Sequence, residues 1–308
     1  MSTQSRPFRQ VDVFSDKPYF GNPLAVVLAA DGLSEETMQR FAQWTNLSET
    51  TFVLTPTQAG ADYRVRIFTP GGELPFAGHP TLGTCHAWLR AGGQALQADR
   101  VVQECAAGLI QIRRSGGQLA FAAPRLRRSS PDKAKLDLIY HALGLNAEQV
   151  RAAQILDNGP VFLGMLLDQA DTVLNLSPDH GALKQLGLKI GVAAAYPSKP
   201  GPALIARFNR EALAFSNQPP EATCLAEPDL EVRAFVAPVG VNEDPVTGSL
   251  NASLAQWLIA DGYMPSRYIA AQGTCLGRAG RVHIESDSGG QVWVGGQVSS
   301  CVEGWVDL

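Results

Sequence analysis

Two short stretches carry side chains that can bind a substrate and move protons, and they share one spacing. Glu73-Leu74-Pro75-Phe76-Ala77-Gly78-His79 and Glu243-Asp244-Pro245-Val246-Thr247-Gly248-Ser249 both read E-x-P-x-x-G followed by His or Ser. Histidine and aspartate can orient or protonate a bound group, and serine can donate or accept a hydrogen bond. Glycine beside them lets a ligand approach the backbone closely. A further acid, Glu49, stands in Asn46-Leu47-Ser48-Glu49-Thr50-Thr51-Phe52-Val53, at the entry to a β-rich run. Partial burial beside apolar groups would raise its pKa and make it a usable proton shuttle. Taken singly, each residue has an ordinary role: an Asp-Pro pair shapes a turn, a loop histidine is a surface imidazole, and a loop glutamate is solvated. Recurrence at matched places weights the reading toward function.

Both motifs run into apolar segments that predict helices. Proline is favoured at the first helical position, where its missing N–H would be unpaired anyway. Pro80 fits that place, which makes His79 the N-cap, and Ser249 takes the equivalent N-cap in the second copy. Two helix starts with free N–H groups and a partial positive charge, facing each other, would flank one cleft and attract an anion. Leu82, Cys85, Trp88 and Leu89 in one helix, and Leu250, Leu254, Trp257 and Leu258 in the other, leave little polar face, so protein must surround both.

The elements around the motifs repeat as well. Val65-Arg66-Ile67-Phe68 resembles Val232-Arg233-Ala234-Phe235, each running on to a proline before its motif, and the helices end at Gly92 and Gly262, equally far from Gly78 and Gly248. Gly116-Gly117 and Gly289-Gly290 mark two β-hairpins. Leu33-Ser34-Glu35-Glu36 and Leu176-Ser177-Pro178-Asp179 open matching helical patterns. The period is too long for a solenoid, so two similar α/β units related by a pseudo-twofold axis are expected, with Ala122 to Asp132 crossing between them.

Composition narrows the function. The chain has 308 residues, 45% hydrophobic and 18% charged, a net charge of -4 and a pI near 5.8. That argues against nucleic acid or an anionic membrane as partner, since either wants a clustered basic surface, and the one basic cluster, Arg125 to Arg128, is short. Cys85, Cys105, Cys224, Cys275 and Cys301 are odd in number and lack C-x-x-C spacing, so neither a disulfide framework nor a zinc site is suggested. The start MSTQSRPFRQ is polar, and no run approaches the roughly 18 apolar residues of a membrane span. A cytoplasmic protein is expected.

FGNPLAVV, NLSETTFV, FTPGGELPFAGHPTLG and EDPVTGSLNASLAQWL, in that order, resemble the PhzF-type isomerase family of phenazine biosynthesis, distant relatives of the diaminopimelate epimerases. The resemblance runs from about Val11 to the C-terminus, and Gln272-Gly273 and Gly277-Arg278 match a further signature. It implies an α+β, diaminopimelate-epimerase-like fold of two pseudo-symmetric domains, each a curved β-sheet or barrel around a central helix. The first domain would take 1–122 plus about 295–308 and the second 123–294, with the active site in the cleft between them. It implies catalysis without metal or organic cofactor, a small carboxylate substrate and a homodimer. Glu49 corresponds to the family's acid/base. His79 and Asp244 join it as catalytic residues, and Asn22, Gly78, Gly248 and Ser249 as substrate-binding ones.

Departures refine the chemistry. The epimerases place a cysteine at each helix start, and neither Gly78-His79 nor Gly248-Ser249 supplies a thiol, while Cys85 lies about two turns into its helix. One strong acid/base suits a proton moved between carbons on one face, which is isomerisation. Ser249-Leu250-Asn251, where many relatives carry Ser-Ala-His, and Arg278-Ala279-Gly280, in place of Arg-Pro-Ser, leave the substrate open. Two rivals remain. A metal hydrolase on His79 and His86 has a spacing longer than the i, i+4 of helical chelation. A ligand-binding or interaction protein could keep the fold without catalysis.

Overall fold

In the computed structural model of the chain, residues 4–197 and 227–308 are described, and Cys224 lies outside them. The first half runs β1 (Ser5–Val13), β2 (Asn22–Val27), α1 (Glu35–Thr45), β3 (Thr50–Leu54), β4 (Tyr63–Thr69), β5 (Gly72–Leu74), α2 (Gly78–Arg90), β6 (Arg100–Cys105), β7 (Gly108–Ser115) and β8 (Gln118–Ala122). Local chemistry sets these limits. Ser34 caps α1 by accepting from the Thr37 N–H, with Glu35 and Glu36 in the first turn against the helix dipole, and Asn46 ends it in the left-handed region. In β4 the alternation is one of period two: Tyr63, Val65 and Ile67 are buried, and Arg64 and Arg66 turn outward.

After β9 (Arg127–Ser129) and α3 (Lys133–Leu143), the same order returns as β10 (Val150–Asp157), β11 (Val161–Leu167), α4 (Ala170–Leu174), α5 (His180–Leu186), β12 (Lys189–Ala195), β13 (Leu230–Phe235), β14 (Glu243–Asp244), α6 (Gly248–Ala260), β15 (Arg267–Gln272), β16 (Gly280–Ser286) and β17 (Val292–Gly296), closing with β18 (Val298–Asp307). Pairings repeat in sense and order. β1–β2 and β10–β11 are antiparallel, β2–β3 and β11–β12 parallel, β3–β4 and β12–β13 antiparallel, and β4–β6 and β13–β15 parallel. The Gly116-Gly117 and Gly289-Gly290 turns close β7–β8 and β16–β17.

The halves are joined through the sheet itself. β8 pairs antiparallel with β17, and the strand following each crosses to the other half: β9 pairs with β10, and β18 with β1. The Ala122–Asp132 crossover therefore contains a strand, held by its ladder to the second half.

One contiguous apolar core spans both halves and takes in Leu82 and Cys85 from α2 and Leu250, Leu254, Trp257 and Leu258 from α6. All six are fully buried, and each large side chain withdrawn from water contributes about 1.5–3 kcal/mol. α2 packs on β1, β2, β3, β6 and β8, and α6 on β10, β16 and β17. Among the described residues no helix is long and apolar enough to cross a membrane.

The helix starts differ from expectation. α2 begins at Gly78 with Ala77 as N-cap, and α6 at Gly248 with Thr247 as N-cap, so His79 and Ser249 lie inside the first turn. Pro80 is then the third helical residue. The first four helical N–H groups all lack an intrahelical acceptor, so proline is tolerated throughout that turn and does not mark its first position.

Candidate active site

The two helix starts meet at their glycines. A Cβ on Gly78 would stand 3.0 Å from the Gly248 Cα, and one on Gly248 would stand 3.1 Å from the Gly78 Cα. Any side chain at either place would push the halves apart. The absence of Cβ thus lets backbone meet backbone, a closer and different use than ligand approach.

Around this contact the sheet gathers the polar residues. Parallel pairing sets Thr50 at the start of β3 opposite Ala25 of β2, and Ser48, next to Glu49, donates to Asn22 Oδ1 at 3.4 Å. The second half contributes Asp244 from β14. Asn22 Nδ2 donates to Asp244 Oδ1 at 3.0 Å and to the Val246 carbonyl at 2.9 Å, and lies 3.4 Å from His79 Nδ1. His79 Nε2 is 3.4 Å from Glu49 Oε2, with their side chains 5% and 15% exposed, yet neither atom has an aligned hydrogen-bond partner. Asn22, Glu49, His79 and Asp244 therefore form one group across the junction.

Burial decides their charges. It pushes Glu49 up to about 8, helped by the negative charge of Asp244 and opposed by the Ser48 side chain and the Lys189 charge. It pushes His79 down to about 3, against the Pro23 carbonyl. At neutral pH the pair is a carboxylic acid beside a neutral imidazole, so its 3.4 Å separation is a contact between uncharged groups rather than an ion pair. Asp244 is also raised by burial, although hydrogen bonds from Thr247 and Asn22 favour its charged form.

A second network holds Asp244. Thr247 Oγ1 donates to Asp244 Oδ2 at 2.5 Å, and Gln272 Nε2 donates to the Asp244 carbonyl at 3.0 Å and to Thr247 Oγ1 at 2.9 Å. Gln272 Oε1 in turn accepts from the Thr247 N–H and from Asn251 Nδ2. The amide of Gln272, completely buried, is thereby saturated on both ends. The Ser249 carbonyl accepts from Asn158 Nδ2 at 2.9 Å.

A cleft of about 1540 Å³ opens onto this group, with Glu49, Asp244, Ser249 and Lys189 among its polar lining and Phe162 and Trp293 among its apolar lining. His79, Asn22, Gly78 and Gly248 lie behind that wall. Such a site offers one protonatable carboxyl in a desolvated setting, a second carboxyl held by two donors, and a neutral imidazole, a set suited to moving a proton within a bound molecule. Among the described residues no group of three or more His, Cys, Asp or Glu is arranged to hold a metal, and His86 Nε2 is 2.9 Å from Ser300 Oγ.

Sequence reading missed Lys189, Thr247, Asn251 and Asn158 and assigned no task to Gln272. Asn158-Gly159-Pro160 carries a signal that was available: it stands before β11 as Gly21-Asn22-Pro23 stands at β2. Lys189 carries none, since only the β11–β12 pairing brings it to the cleft.

A family model described as phenazine biosynthesis-like protein (PhzC-PhzF) matches residues 11–304. The chain is 35% identical over 314 residues to the Schizosaccharomyces pombe protein named Antisense-enhancing sequence 1, covering 96% of this chain and 97% of that one. It is 32% identical over 307 residues to the trans-2,3-dihydro-3-hydroxyanthranilate isomerase of Pseudomonas aeruginosa, covering 96% of each. Among solved structures it resembles the Bacillus anthracis phenazine biosynthesis protein of the PhzF family, with a TM-score of 0.77 at 23% identity over 98% of this chain and 99% of that one.

Proposed function

Since the chain belongs to the phenazine biosynthesis-like (PhzC-PhzF) family and has its diaminopimelate-epimerase-like superfamily fold of pseudo-symmetric sheet domains, we propose that it is an isomerase that moves a proton between carbons of a small carboxylate, with Glu49 as the acid/base. The observation that carries this reading is Glu49 itself: a carboxyl at the cleft wall, raised to about 8 by burial and the Asp244 charge. In its carboxylate form Glu49 takes the proton from one carbon, the bond electrons pass into the adjoining unsaturated framework, and the resulting acid returns that proton to a second carbon on the same face. Nothing is lost or gained, so neither oxidant nor co-reactant is needed.

Asp244 holds the substrate's polar substituents from the cleft wall, His79, neutral, backs Glu49 from behind it, and Asn22 ties Asp244 to His79 by its amide. Ser249 reaches the substrate from the cleft wall, and Gly78 and Gly248 set the spacing of the helix starts. Each half is read as a sheet curved around its helix, α2 or α6. The units are 1–122 with about 295–308, and 123–294, a division supported by the crossed pairings of β9 and β18. A homodimer in the cytoplasm belongs to the same reading, and light scattering of the purified protein tests the dimer.

The substrate of the Pseudomonas aeruginosa relative is the first compound to offer, followed by other cyclic amino and hydroxy acids. Proton NMR in deuterated water should show product formation with the wild type and none with Glu49→Gln. Retention of proton transfer by that variant on a turned-over substrate would remove Glu49 from the mechanism.

A further inference from the structure

Lys189 opens β12, where the register sets it beside Phe162 of β11. Its Nζ lies 4.9 Å from the centroid of the Phe162 ring, which is 2% exposed. The ammonium is thus held against an apolar wall, half-buried, on the lining of the cleft that Glu49 and Asp244 also reach. Among the described residues no carboxylate comes within ion-pair distance of it. The ring face compensates in part for lost hydration, by about 0.5–2 kcal/mol for such contacts. The desolvated cation otherwise has no ion-pair partner among the described residues, since Asp244 and Glu49 act on it only at longer range, a state that is unfavourable unless an anion arrives. Burial lowers the pKa of Lys189, and the charges of Asp244 and Glu49 raise it.

The internal repeat supplies a second, independent observation. Thr50 pairs with Phe68 in the first half and Ile190 with Phe235 in the second, and these phenylalanines end the repeated Val65–Phe68 and Val232–Phe235 runs. The residues just before Thr50 and Ile190 are therefore pseudo-symmetric equivalents, and they are Glu49 and Lys189. The cleft carries an acid on one half and a base at the matching place on the other.

We infer that Lys189 binds the substrate's carboxylate, anchoring it on the second half so that the reacting carbons lie toward Glu49. This rests on the isomerase reading for the identity of the ligand as substrate, and on the cleft geometry alone for the anion site. It places the principal anion contact on a side chain of the cleft lining rather than at the helix starts, whose first residues Gly78 and Gly248 do not line the cleft. The ligand class follows: a carboxylate on an apolar, ring-sized body that can lie against the apolar lining of the cleft.

Ligand-observed NMR titration with benzoate and benzamide separates the charge from the ring. Wild-type protein should prefer benzoate. Lys189→Met should weaken benzoate by about tenfold or more and leave benzamide unchanged, Lys189→Arg should restore most of the preference, and Lys189→Glu should reverse it. Unaltered benzoate binding in Lys189→Met, or no preference for benzoate in the wild type, including binding of neither probe, overturns the assignment. Melting temperatures of the three variants identify any that fail to fold, and the folded ones decide. Glu49→Gln, run alongside, should keep benzoate binding. Proton transfer surviving in it would sink the catalytic reading and leave the Lys189 site to stand on its titration.

Discussion

The two halves of the molecule share a scaffold and differ in chemistry. Arg66 bonds Glu73 in one hairpin, and Arg233 bonds Glu243 at the repeated place in the other. Glycine stands at both helix starts, and a positive-φ glycine follows both helix ends, Gly92 and Gly262. At the positions that face or back the cleft the repeat is broken: Leu74 against Asp244, His79 against Ser249, Glu49 against Lys189. A symmetric pair of proton-handling groups would suit removal from one face and delivery to the other. This broken pair puts Glu49 and His79 in the first half and Asp244, Lys189 and Ser249 in the second, an asymmetry that under the proposed isomerisation suits transfer on a single face.

The largest effects should come from Glu49. Glu49→Gln should lower turnover by roughly 10²–10⁴-fold, the usual contribution of a positioned acid/base. In the wild type kcat/KM should rise with pH and level off above about 8, because the carboxylate form is the active one. His79, held neutral down to about 3, adds no inflection between pH 5 and 9. Asp244→Asn removes a negative neighbour and should move the inflection to lower pH. The same burial acts on stability, with a definite sign. Between the ordinary 4.5 and about 8 the folded state keeps a proton that the unfolded chain has released, so stability falls as pH rises through that window. Glu49→Gln escapes this cost. Its advantage over wild type in urea melts should grow from none near pH 4 toward about 5 kcal/mol near pH 9. Equal stability across that range would show that Glu49 is solvated.

The matched ion pairs come next. Arg233 and Glu243 are each 6% exposed, whereas Arg66 and Glu73 are 25% and 30% exposed and Arg66 keeps a second partner in Glu35. Removing one member of a buried pair strands the other, and Arg233 is further committed to the Val173 and Leu176 carbonyls. Glu243→Gln should therefore cost about 3–5 kcal/mol, and Glu73→Gln about 1 kcal/mol or less. Denaturant midpoints of the two variants measure the difference directly. Similar losses would mean that the halves are stabilised alike.

Smaller still is the glycine contact. Gly78→Ala would bring a Cβ to 2.8 Å from Phe121 Cζ and 3.0 Å from the Gly248 backbone, and Gly248→Ala meets the Gly78 and His79 backbone in the same way. Overpacking of this kind costs about 1–3 kcal/mol. Because one contact is lost in either case, the double variant should lose less than the combined single losses.

The repeat was legible in the sequence because its signals are local: E-x-P-x-x-G, Gly-Gly turns and a shared helix length lie within short windows. The repeat gave two pseudo-symmetric units, and the motif resemblance gave the fold class. Features that depend on pairing between distant strands were not legible. Arg127–Ser129 sits in a stretch rich in proline, serine and arginine, and only its ladder with β10 makes it a strand. Lys189 has no periodicity or motif around it, and only the parallel β11–β12 pairing sets it over Phe162. Thr247 and Asn251 flank the glycine-serine pair in sequence, yet their task follows from Gln272, which arrives from β15.

Ser249 gives the finest comparison, because the two readings of it predict different losses. As an N-cap it would satisfy a helical N–H, and Ser249→Ala would cost about 0.5–2 kcal/mol. The structure puts Thr247 at the cap and Ser249 in the first turn, where no helical N–H depends on its hydroxyl, and the bond that fixes this residue, from Asn158, goes to its backbone carbonyl. Ser249→Ala should then change stability by no more than about 0.5 kcal/mol, as ordinary surface substitutions do. Any loss should fall on KM, since the residue lines the cleft. His79→Ala at the equivalent turn removes a side chain 5% exposed from beside Glu49, and should both destabilise the fold and shift the Glu49 inflection. One helix start would thus tune the acid while the other touches only the ligand.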